Sequence, residues 1–103
     1  MSSSLIYWDL YELTTSSSKL TGVMLRGRIR KYCLEKGRNI LVENATDKDN
    51  CVRFAIPKDD DPKDIISYVE SIVSKIKVKS VKRSVVNPVL SKLKVNLADR
   101  YKL

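Results

Sequence analysis

Two stretches with the periodicity of an amphipathic helix alternate with short strand-like runs, and this order restricts the fold more than any other feature of the chain. In the first stretch Leu25, Ile29, Tyr32 and Cys33 fall at positions i, i+4, i+7 and i+8. Such a stripe is typical of a helix that buries one face. Gly37 follows the stripe and is expected to cap the C-terminus of this helix.

The second helical stretch has a well-marked start. Asp61 can act as the N-cap, Pro62 can take the first helical position, and Asp64 suits the first turn. Its apolar residues repeat at helical spacing: Ile65, Val69, Ile72, Val73 and Ile76. We therefore expect a second helix with one buried stripe.

The remaining apolar runs have the length and composition of strands. They are 5–13, 38–44, 50–57, 77–87 and, after Pro88, 90–101. The order strand, helix, strand, strand, helix, strand, with a final edge strand, predicts an α+β, ferredoxin-like βαββαβ sandwich. In this arrangement an antiparallel sheet carries both helices on one face. The length of 103 residues predicts one domain, residues 1–103.

The composition excludes several kinds of chemistry. The chain has no histidine and only two cysteines, Cys33 and Cys51, so we expect no metal site, no cofactor and no catalysis through an imidazole base. We expect both thiols to be free, with Cys33 as a small buried residue. No apolar run approaches the roughly 20 residues of a membrane span, and the N-terminus lacks a basic region. These features predict a cytoplasmic protein without membrane contact, and we expect a monomer.

The positive charge is concentrated in one part of the chain. Residues 1–74 contain equal numbers of basic and acidic residues, whereas residues 75–103 hold nine Lys and Arg residues against one Asp, which accounts for the net charge of +8. Such a basic C-terminal third indicates an anionic partner, with nucleic acid as one possibility. The alternative is that the lysines form the solvated face of strands.

A loop rich in Ser and Thr, residues 14–22, leads into the first helix and places Arg26 in its first turn. Backbone N–H groups at a helix N-terminus can bind a phosphate, and a guanidinium suits a phosphoryl group. An exposed arginine without a specific role is the alternative.

Two motifs make the chain resemble the acylphosphatase family. "SKLTGVMLR" is similar to the phosphate-binding signature of that family, and "EKGRNILVENATDKDNCV" is similar to its second signature. Arg26 and Asn44 fall on the two catalytic positions, and the likeness covers nearly the whole chain, including the closing strand "LSKLKVNLADRY". The chain differs from the family pattern at Ser18, where a glycine is usual, and in a longer hairpin after Asn44.

The resemblance implies hydrolysis of an acyl phosphate to a carboxylate and inorganic phosphate, without a metal or cofactor. The guanidinium of Arg26 would hold the phosphoryl group together with the loop, and Asn44 would orient the attacking water. The phosphate-binding loop would be formed by Ser18, Lys19, Leu20, Thr21, Gly22 and Val23.

Two other functions are compatible with the same fold. A catalytically inactive member could bind nucleic acid through the basic C-terminal third, with Tyr7, Trp8 and Tyr11 stacking on bases. It could instead be a protein-interaction module that pairs through the edge strand "KLKVNL".

Overall fold

The computed structural model describes residues 7–45 and 47–86 and contains two helices and four strands within them. The elements are β1 (Trp8–Thr14), α1 (Leu25–Glu35), β2 (Leu41–Asn44), β3 (Cys51–Pro57), α2 (Lys63–Ile72) and β4 (Lys77–Val85). The predicted α+β, ferredoxin-like order is confirmed over these residues. The expected final strand, 90–101, lies outside the described residues, as do residues 5 and 6 of the first predicted strand.

The four strands form one antiparallel sheet in the order β2-β3-β1-β4. Leu13 of β1 and Asn44 of β2 both lie opposite Val52 of β3. Since β1 and β2 are each antiparallel to β3, they run parallel to each other, and α1 connects them. The C-terminal ends of β1 and β2 therefore lie at the same edge of the sheet.

The main core lies between the helices and one face of the sheet. The predicted stripe of α1 is confirmed, since Leu25, Ile29 and Cys33 are fully buried. In α2, Ile65 and Val69 are buried as predicted, but the helix ends at Ile72, so Val73 and Ile76 contact the core from beyond its C-terminus. The strands contribute the opposite wall of the same core: Tyr11, Leu13, Val42, Val52, Phe54 and Ile56. Burial of side chains of this size contributes roughly 1.5–3 kcal/mol each.

The other face of the sheet has a smaller apolar cluster and a row of charges. Trp8, Leu10, Leu41 and Ala55 form the cluster, which we call the second-face cluster. The next row across the sheet alternates in charge, because Arg53 lies opposite both Glu43 and Glu12, and Glu12 lies opposite Lys79.

The C-terminal end of α1 has the predicted glycine cap. Gly37 has φ 67°, a left-handed conformation that glycine adopts without a steric penalty. The Arg38 N–H donates to the Cys33 carbonyl at 2.8 Å, and the Gly37 N–H donates to the Leu34 carbonyl at 3.2 Å. These two bonds form a Schellman motif and satisfy carbonyls that the end of the helix leaves unpaired.

The start of α2 differs from the prediction by one residue. Pro62 is the N-cap rather than the first helical residue, and the helix begins at Lys63. Asp61 still stabilises the first turn, because its Oδ1 accepts a hydrogen bond from the Lys63 N–H at 2.9 Å. Asp64 lies in the first turn, as predicted.

Candidate active site

An open cavity lies at the sheet edge where β1 and β2 end. It has a volume of about 620 Å³ and lies between the loop after β1 and the hairpin that connects β2 and β3. Its lining residues are Ser16, Ser17, Ser18, Lys19, Leu20, Thr21, Asn44, Ala45, Asp49, Asn50 and Cys51. The fold thus brings the serine-rich loop next to Asn44, although the two are far apart in sequence.

The cavity includes five of the eight residues that the sequence analysis selected. Ser18, Lys19, Leu20, Thr21 and Asn44 line it, whereas Gly22, Val23 and Arg26 are not among its lining residues. Asn44 is half-buried at the end of β2. It shares a sheet face with Val52, which belongs to the main core, so Asn44 lies on the side of the sheet that α1 covers.

Only some of the backbone amides in the predicted phosphate-binding loop are available to an anion. The Leu20 N–H donates to Asn50 Oδ1 at 2.8 Å, and the Val23 N–H donates to the Lys19 carbonyl at 3.3 Å. Within the described residues, four amides of the predicted loop have no protein acceptor: those of Ser18, Lys19, Thr21 and Gly22. The Leu20 side chain is buried in the main core, so this residue contributes to the shape of the loop.

Asn50 fixes the loop against the hairpin and was not identified by the sequence analysis. Its Nδ2 donates to the Thr15 carbonyl at 2.7 Å and to the Ser18 carbonyl at 2.9 Å, in addition to the bond from Leu20. The residue has φ 49°, a left-handed conformation that asparagine tolerates better than most residues. The sequence indicates a turn here, but it gives no sign that the amide reaches a loop about thirty residues away.

A second group of hydrogen bonds fixes the beginning of the loop. The Thr15 hydroxyl donates towards the carbonyls of Ser74 and Lys75, at 3.3 and 3.2 Å, and accepts from the Ser17 N–H at 3.1 Å. The Ser17 hydroxyl donates to the Ser74 carbonyl at 2.8 Å. The loop is therefore held by the turn between α2 and β4 on one side and by Asn50 on the other.

Ion pairs hold the hairpin that carries Asn50. Arg53 bonds both carboxylate oxygens of Asp47, at 2.6 and 3.1 Å, and its Nε donates to Glu12 at 2.8 Å. Lys48 also donates to Glu12, at 3.2 Å. Burial raises the pKa of Glu12, but the hydrogen bonds from Arg53 and Lys48 outweigh this effect, so its pKa is lowered overall. The hydrogen bonds from Arg53 likewise lower the pKa of Asp47.

Helix α1 begins later than the position of Gly22 suggested. Met24 has φ 56°, and the Leu25 N–H donates to the Leu20 carbonyl at 3.1 Å, so the regular helix starts at Leu25. Arg26 is the second residue of the helix and is exposed. The prediction that Arg26 lies in the first turn is confirmed.

The charged and nucleophilic groups at the cavity are few. Lys19 and Asp49 both line it and are exposed, so one positive and one negative group face the same space. Burial, followed by the charge of Glu12, raises the pKa of the Cys51 thiol. A thiol with a raised pKa is protonated near neutral pH and is a poor nucleophile.

Two properties concern the part of the chain that the structure describes. It contains no group of three or more Cys, Asp or Glu side chains arranged to hold a metal ion. Neither of its helices has the length and apolar character needed to cross a membrane.

Comparisons of the chain with protein-family models, curated proteins and solved structures gave no match.

Proposed function

We propose that the protein hydrolyses acyl phosphates in the cavity between the loop after β1 and the β2–β3 hairpin. The observation that supports this proposal is that the loop and Asn44 line the same cavity. The two segments were selected from separate motifs of the sequence. Loop amides are suited to phosphoryl oxygens, and a carboxamide offers a donor and an acceptor for a water molecule.

The phosphoryl group is bound by backbone amides and by cations. The amides of Ser18, Lys19 and Thr21, which line the cavity and have no protein acceptor within the described residues, donate to its oxygens, and the proposal adds the neighbouring amide of Gly22. The proposal also requires the exposed guanidinium of Arg26, which is not among the residues that line the cavity, to extend to the same group from the first turn of α1. Lys19 adds a second positive charge. These groups stabilise the charge that develops on the phosphoryl and leaving-group oxygens in the transition state.

Asn44 positions the attacking water. The water oxygen forms a bond to phosphorus while the bond between phosphorus and the acyl oxygen breaks. The carboxylate leaves with the electron pair, and a proton of the water passes to the phosphate group. The carboxylate is a good leaving group, so positioning and charge stabilisation supply most of the acceleration.

The experiment is a turnover assay with benzoyl phosphate on the wild type, Arg26→Ala and Asn44→Ala. Each variant should lose at least about 100-fold in kcat/KM while keeping its far-UV circular dichroism. Matched controls are Arg30→Ala, another exposed arginine of α1, and Asn39→Ala, an exposed asparagine just before β2. Equal turnover in all five proteins would refute this active site.

A second candidate function is binding of single-stranded nucleic acid along β4. The residues 77–84 are all exposed and include four cations and no acid. Lysines two positions apart on a strand are about 6.6 Å apart, a spacing that can follow a phosphate backbone. Base stacking by Trp8 and Tyr11 is not available, since Trp8 is buried and Tyr11 is buried against Phe54, with 5.2 Å between ring centroids. Tyr7, which is half exposed, remains as a stacking residue.

A charge-matched pair of triple variants tests the second candidate. One variant carries Lys77→Ala, Lys79→Ala and Lys82→Ala. The other removes three exposed charges from α1, with Arg28→Ala, Arg30→Ala and Lys31→Ala. If RNA binds along β4, only the first variant should reduce the slope of log K against log salt, by about 0.7 for each lost phosphate contact. Equal losses in both variants would mean that net charge alone attracts the RNA.

A further inference from the structure

Two opposite charges line the cavity beside Asn44 without pairing with each other. Lys19 belongs to the loop after β1 and Asp49 to the hairpin between β2 and β3, and both are exposed. In the part of the chain that the structure describes, neither side chain takes part in an ion pair. The two acids and bases just before Asp49 are already engaged, since Asp47 binds Arg53 and Lys48 binds Glu12. The carboxylate of Asp49 is therefore available to a ligand.

The side chain of Asn50 keeps these two charges close to each other. It bonds the Leu20 N–H at 2.8 Å and the Ser18 carbonyl at 2.9 Å, and these two residues flank Lys19. Asp49 directly precedes Asn50. Standard bond lengths, added along this contact, place the Cα atoms of Lys19 and Asp49 at most about 13 Å apart. Both side chains can therefore contact one small molecule.

The cavity is larger than a phosphate group, and its lining is mostly polar. Its volume is about 620 Å³. A phosphate group has five heavy atoms and needs about 150 Å³, if each atom takes the share of one water molecule in the liquid. Leu20 is the only large apolar residue of the lining, and its side chain belongs to the main core. The rest of the ligand would thus gain little from being apolar, because few apolar side chains are present to cover it.

From these observations we infer that the cavity binds a phosphoryl compound that carries an ammonium group on a short chain. The phosphoryl group lies at Lys19 and the loop amides, and the ammonium group lies at Asp49. The inference rests on the proposed function and names its substrate class, an aminoacyl phosphate with a few bonds between nitrogen and phosphorus.

The bond changes are those of the proposed hydrolysis. Water forms a bond to phosphorus while the bond between phosphorus and the acyl oxygen breaks. The amino carboxylate leaves with the electron pair, and a proton of the water passes to the phosphate. Asp49 takes no part in these changes and selects the substrate through its charge.

The first experiment compares the binding of 3-aminopropyl phosphate and n-butyl phosphate, which have equal chain lengths and differ in the ammonium group. Calorimetry gives both Kd values for the wild type, Asp49→Asn, Asp49→Glu and Asp59→Asn. The wild type should bind the aminopropyl compound about fivefold more tightly, as expected for an exposed pair of opposite charges. This preference should disappear in Asp49→Asn. It should remain in Asp49→Glu, which keeps the charge, and in Asp59→Asn, which removes an exposed charge that does not line the cavity.

The second experiment compares the turnover of β-alanyl phosphate and butyryl phosphate by the same four proteins. The ratio of the two kcat/KM values should fall about fivefold in Asp49→Asn and stay at the wild-type value in the other two variants. A binding preference without turnover of either acyl phosphate would refute the proposed hydrolysis and leave the ammonium site in place. Equal affinity of the wild type for both alkyl phosphates, no binding of either, or a preference that Asp49→Asn retains would overturn the inference, whether or not acyl phosphates are hydrolysed.

Discussion

The side chain of Asn50 accepts a hydrogen bond from the backbone N–H of Leu20 at 2.8 Å, across an interval of about thirty residues. This contact joins the hairpin after β2 to the loop after β1, and the candidate active site is the space that the two segments enclose. The hairpin after β2 therefore supplies the residue that shapes the loop.

Substitution of Asn50 should loosen the loop and destabilise the protein. Asn50→Gly removes three side-chain hydrogen bonds while glycine tolerates φ 49°. We expect a loss of about 1–3 kcal/mol in the free energy of unfolding, measured by urea denaturation. Asn50→Ala should lose about 1 kcal/mol more, because alanine is strained in the left-handed region. An Asn50→Ala variant as stable as the wild type would contradict this role.

The ion pair between Glu12 and Arg53 should make stability sensitive to acid. The pKa of Glu12 is lowered below its ordinary value of 4.5, so its carboxylate contributes stability above pH 4.5 that is lost as the pH falls through the lowered pKa. The free energy of unfolding, followed from pH 6 to pH 2, should fall less steeply in Glu12→Gln than in the wild type. The exposed Glu70 provides the control Glu70→Gln, which should follow the wild type. Parallel curves for all three proteins would argue against the ion pair.

The thiol of Cys33 should be inert in the folded protein. Burial raises its pKa to about 11, so the native thiol stays protonated in a range where the unfolded chain ionises. Stability should therefore fall as the pH rises from 9 to 11, and the fall should be smaller in Cys33→Ala. Rapid labelling of Cys33 at pH 8 in the native Cys51→Ser protein would contradict its burial.

Removal of the negative charge at the cavity should strengthen phosphate binding. Asp49 lines the same space as Lys19, and its carboxylate opposes an anion there. Asp49→Asn should lower the Kd for inorganic phosphate, measured by calorimetry. Asp59→Asn, an exposed aspartate in the connection to α2, provides the control. A weaker affinity in Asp49→Asn would show that phosphate binds elsewhere or that Asp49 itself contributes to the site.

The order of the elements could be predicted because it depends on local patterns. The apolar stripe through Leu25 and Ile29, the cap at Gly37 and the alternation along the strands each follow from a few neighbouring residues. The loop and Asn44 were selected through the resemblance to two sequence motifs, and the fold places both of them beside the same cavity.

The remaining features depend on contacts between distant residues or on unusual backbone conformations. The bonds made by Asn50 cross from one loop to another, and Met24 delays the start of α1 through a left-handed turn that its residue type does not favour. Because successive side chains of a strand point to opposite faces, the sequence of β1 places Trp8 and Tyr11 on different faces of the sheet. It does not show which of the two faces the helices cover.

The most direct test of the account is a titration of the ¹⁵N-labelled protein with inorganic phosphate, followed by NMR. The account predicts saturable shifts centred on the amides of Ser18, Lys19, Thr21 and Gly22 and on the side-chain amide of Asn44. Arg26→Ala should weaken the binding. Shifts confined to the lysines of β4, or no saturable shift at the loop, would contradict the proposed site.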